Sequence, residues 1–308
     1  MCFGMTKILV FGSNGLVGSN ILKYFSKKGK YELYSAYFSH PTNFSFCKNI
    51  SIDVTDINAV MSLKSISPDI IINCAGITQI SFCEEHPEIA REVNVNGAKN
   101  IALLSKVCTS KLVYMSSDVV YGGLNKRYNE TDSPSPLNVY GLTKLEGENI
   151  SLKVNSETLV LRNNVLFGRN IFPNRPSFVE SILTALNANK SYNAFADAIF
   201  CPLYIQTMSE YLLKLLEQKQ SGIFNMCCSE SLSKYEFARL IALEFGKDAE
   251  LILPASLDSV SKDVNMSKIL SINNEKLLLA LGIESTIPIK DMIKLFKKEV
   301  DAENGKNS

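Results

Sequence analysis

The chain has 308 residues, 46% hydrophobic and 20% charged, which suits one large soluble α/β domain or such a domain with a smaller companion. A net charge of +1 without any Lys/Arg block gives no electrostatic footprint for nucleic acid. Two distant histidines, His40 and His86, and eight cysteines without a CxxC pair argue against a metal site or a Ser-His-Asp triad.

The cysteines (Cys2, Cys47, Cys74, Cys83, Cys108, Cys201, Cys227, Cys228) sit mostly among apolar residues and read as free thiols of a reducing compartment. Met1–Lys7 runs straight into a strand pattern without a charged leader, and no stretch approaches membrane-spanning length. A cytoplasmic protein with no membrane partner is the expectation.

Strand patterns at Lys7–Phe11, Glu32–Tyr37, Asn49–Ile52, Asp69–Asn73 and Lys111–Ser116 alternate with helical patterns at Leu16–Lys28, Asp56–Ile66 and Pro87–Cys108. This rhythm predicts an α/β fold, a doubly wound parallel sheet covered by helices on both faces. Gly122–Pro136 reads as a loop over the sheet edge, Thr158–Leu161 as a strand, and Phe167–Ser177 as irregular. Further on, helices are predicted at Phe178–Asn187, Thr207–Gln218, Ser233–Phe245 and Ile289–Val300, and strands at Ile223–Cys227 and Leu251–Leu253. The expected division is a nucleotide-binding domain over 1–168 and a smaller, mostly helical lobe over 169–308. A part between about 195 and 225 is expected to return to the first domain. Asp301–Ser308 is polar and expected to fray.

Gly12-Ser-Asn-Gly15-Leu-Val-Gly18 lies between the first strand and the first helix. Glycines there permit a tight turn and bring backbone N–H groups close to a pyrophosphate at the helix N-terminus. The end of the second strand, where a carboxylate would select a ribose hydroxyl, reads Tyr37-Phe-Ser-His40. A phosphate is tolerated there, with Ser39 or His40 as donor, which favours NADPH and leaves NADH open. His40 reads equally well as a surface loop residue.

Tyr140 and Lys144, within Pro136-Leu-Asn-Val-Tyr-Gly-Leu-Thr-Lys144, share one face of a helix. An ammonium beside a phenol favours the phenolate and makes the tyrosine a better acid, as carbonyl reduction requires. Tyr24 and Lys28 have the same spacing but lie in the helix behind the glycine loop, turned from its ligand end. Before Tyr140, the strand Lys111–Met115 ends in Ser116-Ser117-Asp118-Val-Val-Tyr-Gly122, which puts a hydroxyl at a strand's carboxyl end.

Together with Asn73-Cys-Ala-Gly76, Asn94-Val-Asn-Gly97 and Leu161-Arg-Asn-Asn-Val-Leu-Phe-Gly168, these segments resemble, in order, the extended short-chain dehydrogenase/reductase family. The wording is most similar to its dTDP-4-dehydrorhamnose reductase-like subfamily. The resemblance implies that Tyr140 is the general acid, that Lys144 lowers its pKa and holds the nicotinamide ribose, that Ser117 polarises the carbonyl, and that Asn94 supports the lysine through water. It implies cofactor contacts at Gly12, Asn14, Gly15, Leu16, Val17, Gly18, Ser39, Asp53, Val54, Cys74, Ala75 and Gly76. Asp118, Thr78, Arg162 and Asn163 are implied on the substrate side, with Arg162 equally able to pair with a structural carboxylate. Val165 replaces the aromatic residue expected there, and Asp197-Ala-Ile-Phe-Cys-Pro202 replaces the usual lobe turn.

The implied activity is reduction of the 4-keto group of a nucleotide-linked 4-keto-6-deoxyhexose for surface polysaccharide synthesis, with a homodimer as a family-level expectation. A 4-epimerase would reuse the same Tyr and Lys. A dehydratase is disfavoured because no glutamate follows Asp118. A non-catalytic reading, similar to the regulatory subunit of methionine adenosyltransferase, keeps the same motifs.

Overall fold

The computed structural model describes residues 5–41, 43–123, 127–171, 176–259 and 267–305; Cys2 and the tail from 306 lie outside them. Seven strands form one parallel sheet. They are β1 (Thr6–Phe11), β2 (Tyr31–Tyr37), β3 (Lys48–Ser51), β4 (Ile70–Asn73), β5 (Lys111–Ser117), β6 (Leu159–Asn163) and the strand Gly222–Met226. Their order across the sheet is Gly222–Met226, β6, β5, β4, β1, β2, β3. Apolar residues such as Ile8, Leu9, Val10 and Phe11 are wholly buried, because helices cover both faces.

The chain winds outward from β1 to β3, then crosses back to β4 on the other side of β1. The loops after β1 and β4 therefore diverge from neighbouring strands and leave a crevice between them, where open α/β sheets take their ligands. Gly12 shows how close the two loops come. Its φ is +68°, and a Cβ there would stand 2.6 Å from the Cys74 carbonyl and the Ala75 nitrogen. The helix α1 (Leu16–Ser26) starts from Gly15 with no side-chain cap, so its first N–H groups face the crevice unshielded.

α2 (Ile57–Ser62) follows β3, and the helical stretch predicted as Pro87–Cys108 is not uniform. α4 (Pro87–Arg91) and α5 (Gly97–Cys108) are joined by a π-helical turn over Glu92–Asn96, a wide turn that turns Asn94 inward. Two helices escaped sequence reading: α3 (Ile80–Glu85), before α4, and Glu275–Leu281 near the end. α6 (Val139–Val154) starts where Asn138 accepts the Gly141 N–H at 2.8 Å. It lies close on β5, since a Cβ at Gly147 would stand 2.1 Å from the Tyr114 hydroxyl.

Past β6 the chain alternates between the sheet and a set of short strands. Tyr192–Phe195 pairs with Ile252–Ala255, Ile199–Phe200 pairs with Leu232–Ser233 and Ile269–Leu270, and Leu203–Tyr204 pairs with Leu166–Phe167. Helix Ile205–Glu217 packs on α1, and Gly222–Met226 follows it into the main sheet. This stretch thus has more strand than the helical lobe the sequence suggests. Capping boxes at Ser177/Glu180 and Ser233/Glu236 start helices Phe178–Asn187 and Lys234–Glu244. The final helix, Ile289–Asn304, runs on through residues read as frayed, tied to α1 by Lys23 with Glu299 and Glu303.

Gly12→Ala should lower stability by about 2–4 kcal/mol, since it joins a left-handed backbone to a collision with fixed backbone. Gly15→Ala, with only the Gly12 carbonyl 3.4 Å from its Cβ and an ordinary φ of −84°, should cost less than about 1 kcal/mol. Urea unfolding of the two variants checks the contrast.

Candidate active site

The residues expected at a cofactor line the switch-point crevice. Gly12, Asn14 and Gly15 form the turn; Leu16, Val17 and Gly18 form the first turn of α1. Asn14 Nδ2 donates to the His40 carbonyl at 3.3 Å, tying this turn to the one after β2. The exposed Ser39 hydroxyl stands 2.7 Å from His40 Nδ1. On the opposite wall, Ala75 N–H donates to Asn73 Oδ1 at 3.0 Å, and burial pushes the Cys74 thiol up to about 12. Gly76 has room for no side chain, because Asn94 Oδ1 lies 2.9 Å from its Cβ position.

Asp53 and Val54 lie in the turn after β3. One Asp53 oxygen accepts the Thr55 N–H at 2.9 Å and its hydroxyl at 2.8 Å, holding its own turn. The Val54 side chain fills the space beside Gly97, and its carbonyl accepts from Asn100 at 3.0 Å.

β5 and α6 carry the expected catalytic groups to the rim of the same crevice. Consecutive strand residues face opposite ways. Ser116 accordingly turns inward to donate to Glu148, while Ser117 turns to the rim and donates to Asp118 Oδ1 at 3.0 Å. Tyr140 hydrogen-bonds Ser117. Burial raises the Tyr140 pKa above the usual phenol value, with Ser117 pulling down and the Asp118 charge adding to the rise. The expected phenol–ammonium pairing is absent. Lys144 Nζ instead donates to the Met115 carbonyl at 2.5 Å and sits 4.3 Å over the Tyr114 ring, because buried lysine takes the nearest acceptor. Burial brings its pKa down to about 8, against the pull of Glu148 and Cys74.

Asn94 is buried, and its side chain is held by protein groups. Its Nδ2 donates to the Ile77 carbonyl and to Thr143 Oγ1, both at 3.0 Å, and its Oδ1 accepts the Ile77 N–H at 2.8 Å. The amide clamps the loop after β4 to α6. Thr78 is exposed on that loop.

Arg162 does not reach the rim at all. It is 2% exposed and grips Glu148, itself 1% exposed, through Nε at 3.0 Å and Nη2 at 2.7 Å, while Nη1 donates to the Tyr121 hydroxyl at 2.8 Å. A guanidinium so engaged is not available to a nucleotide phosphate. Glu148 was missed, although Tyr140, Lys144 and Glu148 follow at steps of four along one helix.

A cavity of about 230 Å³ opens beside Ser117 and Asp118. Its walls include Asn163, Asn164, Val165 and, from the later part of the chain, Phe200 and Lys234. Asn163 stands level with Ser117 in the β5–β6 register. Its Nδ2 is spent on the carbonyls of Ser116 and Leu161, and its buried Oδ1 has no partner. Asp118 accepts from Asn164 at 2.6 Å, and burial lifts its pKa to about 7. Asn164 and Lys234 carried no sequence signal, since nothing local marks a residue that converges from a distant segment. A larger cavity of about 710 Å³ lies at the opposite, amino end of the strands, near Ser110 and Lys111, away from these groups. Among the described residues no His/Cys/Asp/Glu cluster is placed to hold a metal, and no helix is long and apolar enough to cross a membrane.

The family model described as the RmlD substrate binding domain matches residues 5–299. The chain belongs to that family. The motif resemblance to dTDP-4-dehydrorhamnose reductases within the extended short-chain dehydrogenases/reductases is thereby confirmed. Among curated relatives, the probable low-salt glycan biosynthesis reductase Agl14 of Haloferax volcanii is 29% identical, over 79% of this chain and 81% of its own length. The methionine adenosyltransferase 2 subunit beta of Danio rerio is 30% identical, over 94% of this chain and 89% of its own. The RmlD fold itself is shared with the Bacillus anthracis dTDP-4-dehydrorhamnose reductase solved in complex with NADP, at TM-score 0.85, 24% identity and coverage of 96% and 99%. The Clostridium acetobutylicum counterpart gives 0.84 at 25% identity, covering 96% and 100%.

Two outcomes follow. Glu148→Gln strands the Arg162 charge in the interior and should cost about 3–5 kcal/mol in urea unfolding. Asp118 has a raised folded pKa, so its burial leaves stability untouched below about pH 4 and costs progressively more up to about pH 7. The stability of Asp118→Asn relative to wild type should therefore improve between pH 4 and 7, by on the order of 3–4 kcal/mol, in pH-resolved denaturation.

Proposed function

We propose that this protein is an NAD(P)H-dependent reductase acting on the 4-keto group of a nucleotide-linked 4-keto-6-deoxyhexose, in surface polysaccharide synthesis. The observation that carries the reading is the hydrogen bond between Tyr140 and Ser117, the serine lining a cavity next to the switch-point crevice. The cofactor fits that crevice on steric grounds. The bare N-terminus of α1 and the glycine turn pressed against Cys74 leave a cradle of backbone amides that suits a pyrophosphate. The relatives named as a glycan biosynthesis reductase and as dTDP-4-dehydrorhamnose reductases support it, one of the latter holding NADP.

When bound, the nicotinamide supplies hydride. The amides of Gly15 to Gly18 hold its phosphates, and Ser39 with His40 accommodates a ribose phosphate, which favours NADPH without excluding NADH. Cys74 to Gly76 close the other wall. Tyr140 keeps its proton at neutral pH because burial raises its pKa, so it stands loaded as the acid for the keto oxygen. Ser117 donates to that oxygen and keeps the phenol aimed. Lys144, one helical turn on and protonated below about pH 8, offsets the negative charge as the phenolate forms. Asp118 and Asn163 take sugar hydroxyls, with Thr78 at the open edge.

The curated relatives named methionine adenosyltransferase 2 subunit beta favour a second reading, a cofactor-binding subunit that serves a partner enzyme. One assay separates the two: consumption of NADPH and of NADH with dTDP-4-dehydro-6-deoxy-L-mannose made in situ. Wild type should turn over, and Tyr140→Phe should lose at least about 100-fold in kcat with NADPH affinity unchanged. Tight NADPH binding without turnover, with stable capture of a methionine adenosyltransferase, would establish the second reading instead.

A further inference from the structure

We propose that Lys234 binds an anionic oxygen group of the sugar-nucleotide substrate inside the cavity beside Ser117. This rests on the keto-sugar reading and names a contact that reading leaves open. The inference starts from where the ammonium stands. Lys234 is the first residue of helix Lys234–Glu244, the end at which the backbone dipole disfavours a cation. It is half-buried, and its backbone N–H is pinned to the Ala198 carbonyl at 3.0 Å, on the cavity wall. Phe237, one turn along, packs 5.4 Å from Phe200 and 6.0 Å from Phe178 by ring centroids, so the helix start has little freedom to swing away.

That ammonium has no full partner. Among the described residues no carboxylate lies within ion-pair distance of Nζ, and its nearest recorded neighbour is the Phe195 ring at 5.7 Å. The Asp118 charge acts on it from across the cavity, but both Asp118 oxygens already accept, from Ser117 and Asn164. Burial lowers its pKa, as expected of a cation waiting for a counter-charge. Lys234 is also the one basic residue among the described residues that line this cavity.

A second observation shows that the cavity is built for a ligand. Asn163, 7% exposed, presents a buried Oδ1 without any partner, an acceptor for a hydroxyl. A ligand that satisfies both groups carries hydroxyls and an anion. A neutral sugar ring alone would leave the ammonium unmatched. In this substrate class the anion is the diphosphate.

The test uses full-length protein loaded with NADP⁺ for binding and with NADPH for turnover, as wild type, Lys234→Met and Lys234→Arg. Calorimetry measures dTDP and UDP affinity, and steady-state kinetics measures kcat and KM for the keto-sugar nucleotide. Loss of a charged hydrogen bond should raise KM about tenfold or more in Lys234→Met, with kcat and NADPH affinity near wild type and recovery in Lys234→Arg. A parallel tenfold loss of dTDP or UDP affinity assigns the diphosphate; unchanged nucleotide affinity, even with raised KM, overturns the contact. Unchanged KM and unchanged nucleotide affinity in Lys234→Met overturn the proposal while an active wild type leaves the reductase reading intact. An inert wild type whose nucleotide affinity still falls in Lys234→Met removes the reductase reading and leaves the Lys234 contact standing.

Discussion

The ion pair between Glu148 and Arg162 is the interaction on which the site depends. It joins α6, which carries Tyr140 and Lys144, to β6, which carries Asn163, in the interior of the molecule. Two charges at 1% and 2% exposure carry a large desolvation cost, and the fork of parallel hydrogen bonds offsets it only in this geometry. Ser116 adds a further bond from β5, and Tyr121 passes the network on to Asn225 in the edge strand. One carboxylate thus sets the rotation of α6 against three strands. The strand alternation that turns Ser116 toward Glu148 turns Ser117 toward the cavity, so the two neighbouring serines are told apart by one hydrogen bond.

Above this network, burial moves the site's titrating groups in one direction. Asp118 rises to about 7, Lys144 falls to about 8, and the Tyr140 proton is held more firmly. Each shift favours the uncharged form, the expected result of withdrawing water from the carboxyl ends of the strands. Such a site keeps acids protonated and exchanges protons near neutrality, a setting suited to carbonyl chemistry.

The parallel sheet was legible in the sequence because buried strands of Ile, Leu and Val alternated with helical stretches at regular spacing. The glycine turn was equally legible, since only Gly fits at position 12 against Cys74. What the sequence concealed has physical causes. The π turn at Glu92–Asn96 looks like uninterrupted helix to any period of 3.6, yet it redirects Asn94. Arg162 sits beside site residues in sequence but belongs to the interior, because a fully buried arginine follows its carboxylate partner. Apart from Ile252–Ala255, expected at Leu251–Leu253, the short strands past β6 are two to four residues long and form only by pairing with distant segments, so no local pattern announces them. Lys234 and Asn164 meet across a gap that only the tertiary fold closes.

The late position of the strand Gly222–Met226 has a consequence for how the molecule is made. On a ribosome the amino-terminal part emerges first, so the glycine turn, β4 and α6 are out well before the segments that wall the cavity. Asn225, which anchors Tyr121, follows β6 by some sixty residues, and Lys234 comes later still. The nascent chain therefore acquires the elements of its dinucleotide crevice while the Arg162 network still lacks its last strand. The pairing that completes the sheet closes as long a stretch of chain as the pairing of β1 with β4, and parallel pairing of distant segments is intrinsically slow. Dinucleotide captured early would hold the first half in place while the second half arrives.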